Sequence, residues 1–197
     1  MKPEGPRTML APMPGPLPVQ GAALPHEPRA AASLPRRAAA AALDLLVVGV
    51  LVWLVDAAAT RAGWEAPSDA LGWHLRSLAT LSLPAGLYFA LGEALPGSAS
   101  LGKRALGLRV VDTYGGRLPP ARAVLRAFLK LGPVLVAQVA LAYPTPITTL
   151  GTAPMPRLLF AAYAVAGLYV ATAMMSLKKQ SVHDWATSAC VIRAPVA

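Results

Sequence analysis

Residues 38–60 read AAAAALDLLVVGVLVWLVDAAAT, an apolar run whose only charged residues are Asp44 and Asp56. An α-helix needs about 20 predominantly apolar residues to cross a hydrocarbon core of roughly 30 Å. This run is long enough to do so, and it predicts a first membrane-spanning helix.

The composition of the whole chain agrees with a membrane protein. Of its 197 residues 55% are hydrophobic and only 14% are charged, and the mean hydropathy is +0.51, which is far from the averages of soluble domains. The formal net charge is +9, but the basic residues flank apolar runs rather than clustering as in a nucleic-acid-binding domain. We therefore expect no nucleic-acid partner. The expected partner is anionic lipid at the cytoplasmic face, which attracts each basic residue by about 1 kcal/mol.

Three further spans are predicted, over residues 71–95, 132–150 and 158–177. The second is interrupted near its start by His74 and Arg76, and the third contains Pro144 and Pro146. The fourth is apolar throughout. A Gly115-Gly116 turn signal within RVVDTYGGRL, residues 109–118, predicts a small hairpin between the second and third spans.

A charged stripe precedes the third span. Arg122, Arg126 and Lys130 recur every fourth residue after Pro119 and Pro120, with apolar residues between them. This pattern is typical of an amphipathic helix. We expect that helix to lie in the headgroup region and to break at Gly132-Pro133.

The two ends of the chain are predicted to be tails. Prolines recur throughout residues 1–35 and interrupt every candidate signal-peptide core, so we expect a disordered, proline-rich cytoplasmic tail there. Residues 194–197 form a short C-terminal tail. The predicted fold class of residues 36–193 is an all-α membrane protein with about four transmembrane helices, a cytoplasmic basic loop and an interfacial amphipathic helix.

The distribution of lysine and arginine predicts the orientation, because the side with more of them faces the cytoplasm. Four spans with both termini inside place fifteen of the eighteen on the cytoplasmic side and leave Arg61, Arg76 and Arg157 outside. The expected location is therefore the cell (inner) membrane, as a multi-pass protein with both termini cytoplasmic.

Asp44 is the first candidate for chemistry, since an ionised carboxylate inside a span costs about 2.5 to 3.5 kcal/mol unless it is paired or solvated. Arg37 lies two helical turns earlier on the same face, with a rise of roughly 10 Å between the two residues. Two interpretations stay open at this point. Asp44 either locks helix packing as a buried polar residue or couples to an ion or proton.

Three blocks of sequence resemble the RDD family: RRAAAAALDLLVV (36–48), SLGKRALGLRVVD (100–112) with Arg126 beyond it, and KKQSVHDWATSACVI (178–192). That family is named for one arginine and two aspartates, and the matching residues here are Arg37, Asp44 and Asp184. The resemblance implies a membrane protein and is compatible with a role in transport. The chain departs from the family pattern after Asp184, where Trp185 and ATSAC replace a more usual glycine-containing stretch.

The basic block after Gly102 is a second candidate. Lys103 and Arg104 fit a lipid-headgroup contact or an anion site, or they are simply the charge expected on the cytoplasmic side. Asp56 and Glu93, at the ends of the first two spans, are expected to reach water.

Asp184 follows the last span, on the side where basic residues are abundant. A salt bridge to Arg37, Arg104 or Arg126 is expected. The neighbouring His183 either titrates near neutral pH or serves as a hydrogen-bonding group.

Two functions are compatible with these residues. One is a small transporter of a cation, proton or other small ligand, with Arg37, Asp44, Asp184, Lys103, Arg104 and Arg126 as candidate transport or structural polar residues. Four helices are few for a complete transport path, so a homo-oligomer is then expected. The alternative is a non-catalytic membrane protein that organises or regulates a partner complex.

An enzyme is disfavoured, because no nucleophile with an adjacent base and no nucleotide motif is present. No metal or cofactor is expected either. Cys190 is the only cysteine, and the three histidines fall in separate segments.

Overall fold

The computed structural model describes residues 31–194, except for residues 151, 153 and 178. The tail predicted over residues 1–35 therefore lies almost wholly outside the described residues, as does the C-terminal tail beyond Ala194. The elements are α1 (Leu34–Arg61), α2 (Ala70–Ser77), a π-helical segment (Leu78–Ser82), α3 (Leu83–Ala94), α4 (Leu101–Ala105), β1 (Leu108–Asp112), α5 (Pro120–Ala142), α6 (Ile147–Leu150), α7 (Pro156–Met175), α8 (Val182–Ala186) and β2 (Ala189–Arg193).

Three described helices, α1, α5 and α7, are long and apolar enough to cross a membrane. The spans predicted over residues 38–60 and 158–177 correspond to α1 and α7. The span predicted over residues 132–150 is displaced, because the helix begins at Pro120 and ends at Ala142, before Pro144 and Pro146.

The faces of α1 are arranged for a lipid environment. Its buried residues are Ala40, Asp44 and Val48, which recur every fourth position, whereas the side chains of Leu45 and Trp53 are about two-thirds exposed. Small and polar side chains thus pack against protein, and large apolar ones point outwards, as expected where lipid replaces water.

The region of the predicted second span, residues 71–95, is helical from Ala70 to Ala94 in three successive segments. The middle segment is π-helical, and the Leu83 amide donates to the carbonyl of Leu78. This wider turn lies directly before Pro84, which has no amide hydrogen to donate to the preceding turn. No single segment is long enough to span, so α2 and α3 are not among the three long apolar helices.

The break predicted at Gly132-Pro133 is wrong, since α5 runs through both residues. A proline inside a helix leaves the carbonyl four residues earlier without its usual donor. Here that carbonyl belongs to Leu129, and Tyr169 of α7 donates its hydroxyl to it at 2.8 Å. The neighbouring helix therefore replaces the lost hydrogen bond, which lets α5 continue.

The charged stripe on α5 faces the protein interior rather than the headgroups, so the prediction of an interfacial helix is wrong. Arg126 is 1% exposed and Lys130 is partly buried, and only Arg122 is exposed. The apolar side chains of Leu125 and Phe128 point outwards. Charged residues of a membrane helix are far less costly inside the bundle than against lipid, which explains this orientation.

Two short strands add to the helices and correct the all-α prediction. β1 pairs antiparallel with the distant β2, from Leu108 opposite Arg193 to Asp112 opposite Ala189. The hairpin predicted within residues 109–118 is reduced to a tight turn and one bridge, between Val111 and Arg117. Buried Val110 and Val191 sit in the small apolar core that the sheet shares with the start of α1.

Candidate ligand-binding site

The polar residues of the chain meet at one end of the helix bundle. The start of α1, the end of α3, the start of α5 and the end of α7 come together there, with α4, α8 and the sheet beside them. We call this region the polar end. The opposite end contains a separate pair, in which Arg76 lies 2.9 Å from the half-exposed Asp56.

Asp44 fastens α4 and α3 to α1. Its Oδ1 accepts hydrogen bonds from the Tyr88 hydroxyl at 2.6 Å and the Gly102 amide at 2.8 Å, and its Oδ2 accepts one from the Ser100 hydroxyl at 2.6 Å. The residue is 2% exposed. Both carboxylate oxygens are thus occupied by donors of this chain, and none of the three donors is itself charged.

Gly102 makes this contact possible, because α4 lies directly on the backbone of α1. A Cβ at position 102 would stand 2.7 Å from the Asp44 nitrogen and 2.8 Å from Asp44 Oδ1, and closer still to the carbonyl oxygen of Ala40. Real Cβ atoms essentially never approach other heavy atoms so closely. Only glycine fits at this position without a shift of the backbone.

Asp184, in the short helix α8, pairs with one arginine of α1 and one of α5. Its Oδ2 lies 2.6 Å from Arg37 Nη2, and its Oδ1 accepts from Arg126 Nε at 2.9 Å and also from Arg126 Nη2. Oδ2 also accepts from the Ser181 amide at 3.2 Å as part of a capping box at the start of α8. The salt bridge expected for Asp184 therefore includes Arg37 and Arg126. It does not include Arg104, which donates instead to the carbonyl oxygens of Ala99 and Pro96.

Glu93 is the second centre of charge, contrary to the expectation that it reaches water. It is 0% exposed, and its Oε1 lies 2.5 Å from Lys103 Nζ and 3.6 Å from Lys130 Nζ, and pairs with Arg126 as well. Arg126 therefore connects Glu93 with Asp184. Removing one member of such a buried set costs about 3 to 5 kcal/mol, because the others are left uncompensated.

Burial and the neighbouring charges also shift the pKa values of two residues in α8, Asp184 and His183. Burial by itself would raise the pKa of Asp184, but the guanidinium groups of Arg126 and Arg37 outweigh burial and hold that pKa well below its usual range. Burial lowers the pKa of His183 to about 3, and the positive charge of Arg126 acts in the same direction. His183 is therefore neutral at pH 7, and the hydrogen-bonding interpretation of this residue is the one that the geometry supports: its ring lies 2.9 Å from the Ser181 hydroxyl.

A cavity of about 620 Å³ opens beside this network, which we call the chamber. Four cationic side chains line it, Arg37, Lys103, Arg126 and Lys130. Glu93 and Asp184 pair with these cations but do not themselves line it. Asp44 is the one carboxylate in its lining.

Apolar residues form the rest of the chamber wall. Leu45 of α1 and Val170 and Met174 of α7 line it, and all three are at least 60% exposed. The chamber therefore extends from the charged network to the outer surface of the bundle between α1 and α7. Its volume falls in the range of about 300 to 1,000 Å³ that is typical of small-molecule sites.

The site combines residues that the sequence singled out with residues that it did not. Five of the six candidates, all except Arg104, take part in the network or line the chamber. Lys130, Glu93 and Tyr88 were not candidates. For Lys130 the available signal was its spacing of one helical turn from Arg126. For Glu93 it was the presence of an isolated acidic residue in an apolar helix. Among the described residues no group of three or more histidine, cysteine or acidic side chains is placed to hold a metal ion.

Five of the residues that meet here belong to the segments that resemble a known family: Arg37, Asp44, Lys103, Arg126 and Asp184. The sequence model of the RDD family matches residues 31–188. The chain belongs to the RDD family. No curated protein and no solved structure matches the chain. In this RDD chain Arg37 and Asp184, which the resemblance matches to the family's arginine and second aspartate, form a direct ion pair, and Asp44 anchors α4 nearby.

The departure from the RDD pattern after Asp184 is accommodated locally. Ser188 has a φ of +51°, the left-handed region that glycine occupies most readily. The backbone therefore makes the turn into β2 with a serine in a glycine-like conformation.

Proposed function

We propose that this RDD protein is a non-catalytic membrane protein that binds a small anionic ligand in the chamber. One observation carries the proposal: four basic side chains line the chamber, whereas only one of the three nearby carboxylates does. Counting Asp44, four basic side chains meet three acidic ones at the polar end, so basic groups are in excess by one. An anion with a single negative charge would complete the set.

The hydrogen bonds of Asp44 favour an anionic ligand over a cation or proton. A cation would need a carboxylate oxygen with room for it, and Asp44 already accepts three hydrogen bonds from its own chain. The role that best fits Asp44 is to hold Gly102, and with it the adjacent Lys103, against α1. This supports the interpretation of Asp44 as a packing lock.

Arg37 supplies a further reason to expect an anion. Its Nη2 is held by Asp184, but its Nη1 has no hydrogen-bond partner within the described part of the chain although it is buried. Buried donors in native proteins almost always have partners. An anion in the chamber would provide one after a shift of the surrounding side chains, because Nη1 itself has almost no accessible surface.

The topology that accompanies this proposal has four spans and places the polar end at the cytoplasmic face of the inner membrane. Ala70–Ala94 supports a span, because it is helical throughout and a helix of that length is roughly 37 Å long. The excess of lysine and arginine predicted for the cytoplasmic side includes all four cations of the chamber. Both termini are then cytoplasmic, and association into a homo-oligomer stays a prediction.

Binding of two phosphate compounds, one free and one carried by a lipid, tests the proposal. We would titrate the full chain, purified in an uncharged detergent, with glycerol phosphate and with phosphatidylglycerol. Lys130→Gln removes the cation with the longest ion-pair distance, 3.6 Å, and is expected to weaken binding by about tenfold or more. Arg122→Gln, on the exposed face of the same helix, should bind like the wild type. Saturable binding of neither compound, or equal binding by Lys130→Gln, would contradict the proposal.

A further inference from the structure

The chamber has two chemically different parts. Its inner part holds the four cations, whereas its outer part runs between α1 and α7 and is apolar, with Ala41 and Leu45 on one side and Ala173 and Met174 on the other. A small hydrophilic anion would occupy only the inner part. The apolar part would then be left unfilled and in contact with the bilayer.

The position of the opening decides which ligands can enter. Leu45, Val170 and Met174 line the chamber and are also strongly exposed on the lateral surface of the apolar helices. In a membrane that surface faces lipid tails, because α1 and α7 are two of the helices long enough to span. A ligand that enters sideways from the bilayer must have an apolar portion as well as a charge.

Resting on the proposed anion-binding function, we propose that the ligand is an anionic glycerophospholipid. Its phosphodiester lies beside the basic side chains of Arg37, Lys103, Arg126 and Lys130, and one acyl chain lies in the groove between α1 and α7. Basic pockets between membrane helices at the cytoplasmic side recognise lipid headgroups in this manner. Arginine and lysine make strong charge-assisted hydrogen bonds to phosphate oxygens, and buried arginine donors are suited to this role.

The experiment separates headgroup from tail. The full chain is stripped of lipid in an uncharged detergent and titrated with phosphatidylglycerol, with the zwitterionic phosphatidylcholine, and with glycerol phosphate, a soluble phosphate compound without the tail. We expect phosphatidylglycerol to bind at least about tenfold more tightly than either of the others, because each of them lacks one of the two contacts.

A matched pair of variants tests the groove. Ala173→Phe places a ring in the apolar part of the chamber and is expected to weaken phosphatidylglycerol binding by about tenfold, with glycerol phosphate unaffected. Ala171→Phe makes the same change two residues away at an exposed position that does not line the chamber, and should leave both unchanged. Thermal unfolding of both variants would verify that they are folded.

The outcomes distinguish the inference from the function on which it rests. If glycerol phosphate binds as tightly as phosphatidylglycerol and Ala173→Phe has no effect, the chamber binds anions but not lipid, and the inference is overturned. Equal binding of phosphatidylcholine would overturn it as well, since charge would then play no part. If neither anion binds, both the inference and the proposed function fall.

Discussion

Arg37 and Asp184 lie 147 positions apart in the chain, and their side chains are joined by a contact of 2.6 Å between Nη2 and Oδ2. This pair closes the polar end of the bundle by linking the start of α1 to the short helix that follows α7. Because Asp184 also pairs with Arg126, charged side chains of α1, α5 and α8 form one connected set, which we call the electrostatic unit.

The first prediction concerns the coupling within this unit. Asp184→Ala leaves Arg37 without a carboxylate partner and Arg126 with Glu93 alone, so we expect a loss of about 3 to 5 kcal/mol in the free energy of unfolding. Arg37→Ala should cost less, about 1 to 3 kcal/mol, because Arg126 still compensates Asp184. The double variant should lose less than the sum of the two single losses.

Unfolding in detergent measures all three, and Arg36→Ala is the control. Arg36 precedes Arg37 on the same helix, and none of the described ion pairs includes it, so its replacement should change stability by no more than about 0.5 kcal/mol. Strictly additive losses for Arg37→Ala and Asp184→Ala would show that the pair is not coupled.

A second prediction follows from the contact between α4 and α1. Gly102→Ala puts a Cβ where Asp44 and Ala40 already stand, so α4 must move away and Asp44 must lose hydrogen bonds. We expect little folded protein, as measured by the yield of monodisperse material after purification. Gly49→Ala and Gly167→Ala have nothing within 4 Å of the new Cβ. They should be neutral or stabilising by up to about 1 kcal/mol, since alanine favours helix more than glycine does.

Tyr169 gives a third prediction, about the continuity of α5. Tyr169→Phe removes the donor that binds the Leu129 carbonyl beside Pro133, and we expect a loss of about 0.5 to 1.5 kcal/mol in unfolding free energy. Tyr163 lies on the same helix with 67% of its surface exposed, so Tyr163→Phe is the matched control and should have little effect. Equal stabilities of the two variants would show that the hydrogen bond does not support α5.

Stability should also fall in acid, which is the fourth prediction. His183 has a pKa of about 3 in the folded chain, below its ordinary value of 6.5 because of burial. The unfolded chain therefore takes up a proton first, and the contribution present above pH 6.5 is lost as the pH falls towards 3. Asp184, whose folded pKa is also lowered, adds a loss below about pH 4.

Unfolding curves between pH 7 and pH 3 measure this loss. A single proton gives a slope of at most about 1.4 kcal/mol per pH unit. His183→Asn should flatten the curve between pH 6.5 and pH 4 while keeping the loss below it. A wild-type stability that is constant over that upper range would contradict the assignment of a neutral, buried His183.

The sequence predicted those helices that a local run of apolar residues is sufficient to define. The apolar runs of α1 and α7 are long enough to be recognised alone. The continuation of α5 was not predictable, because the hydroxyl of Tyr169 that compensates Pro133 comes from a helix that is distant in sequence. Pairing of β1 with β2 depends on the same kind of long-range contact.

The site was only partly predictable for a related reason. An acidic residue at the end of an apolar helix can either be exposed to water or be paired in a buried network. The position of Glu93 in the sequence does not distinguish these two environments. Its partner Arg126 belongs to a stripe whose direction depends on the solvent around the helix. In water that stripe would face outwards, and in a bilayer it faces the protein.

The most direct test of the account is to locate the phosphate in the chamber by ³¹P NMR. A nitroxide on Ala38→Cys, in a Cys190→Ser background, stands at the lining of the chamber at an exposed position. A nitroxide on Leu54→Cys lies on the same helix roughly 24 Å away. With phosphatidylglycerol below one equivalent, we expect the label at position 38 to broaden the phosphorus signal strongly and the label at position 54 to broaden it weakly. In the Lys130→Gln variant, the broadening by the label at position 38 should be lost. Equal broadening by the two labels, or broadening at position 38 that survives Lys130→Gln, would contradict anion binding in the chamber.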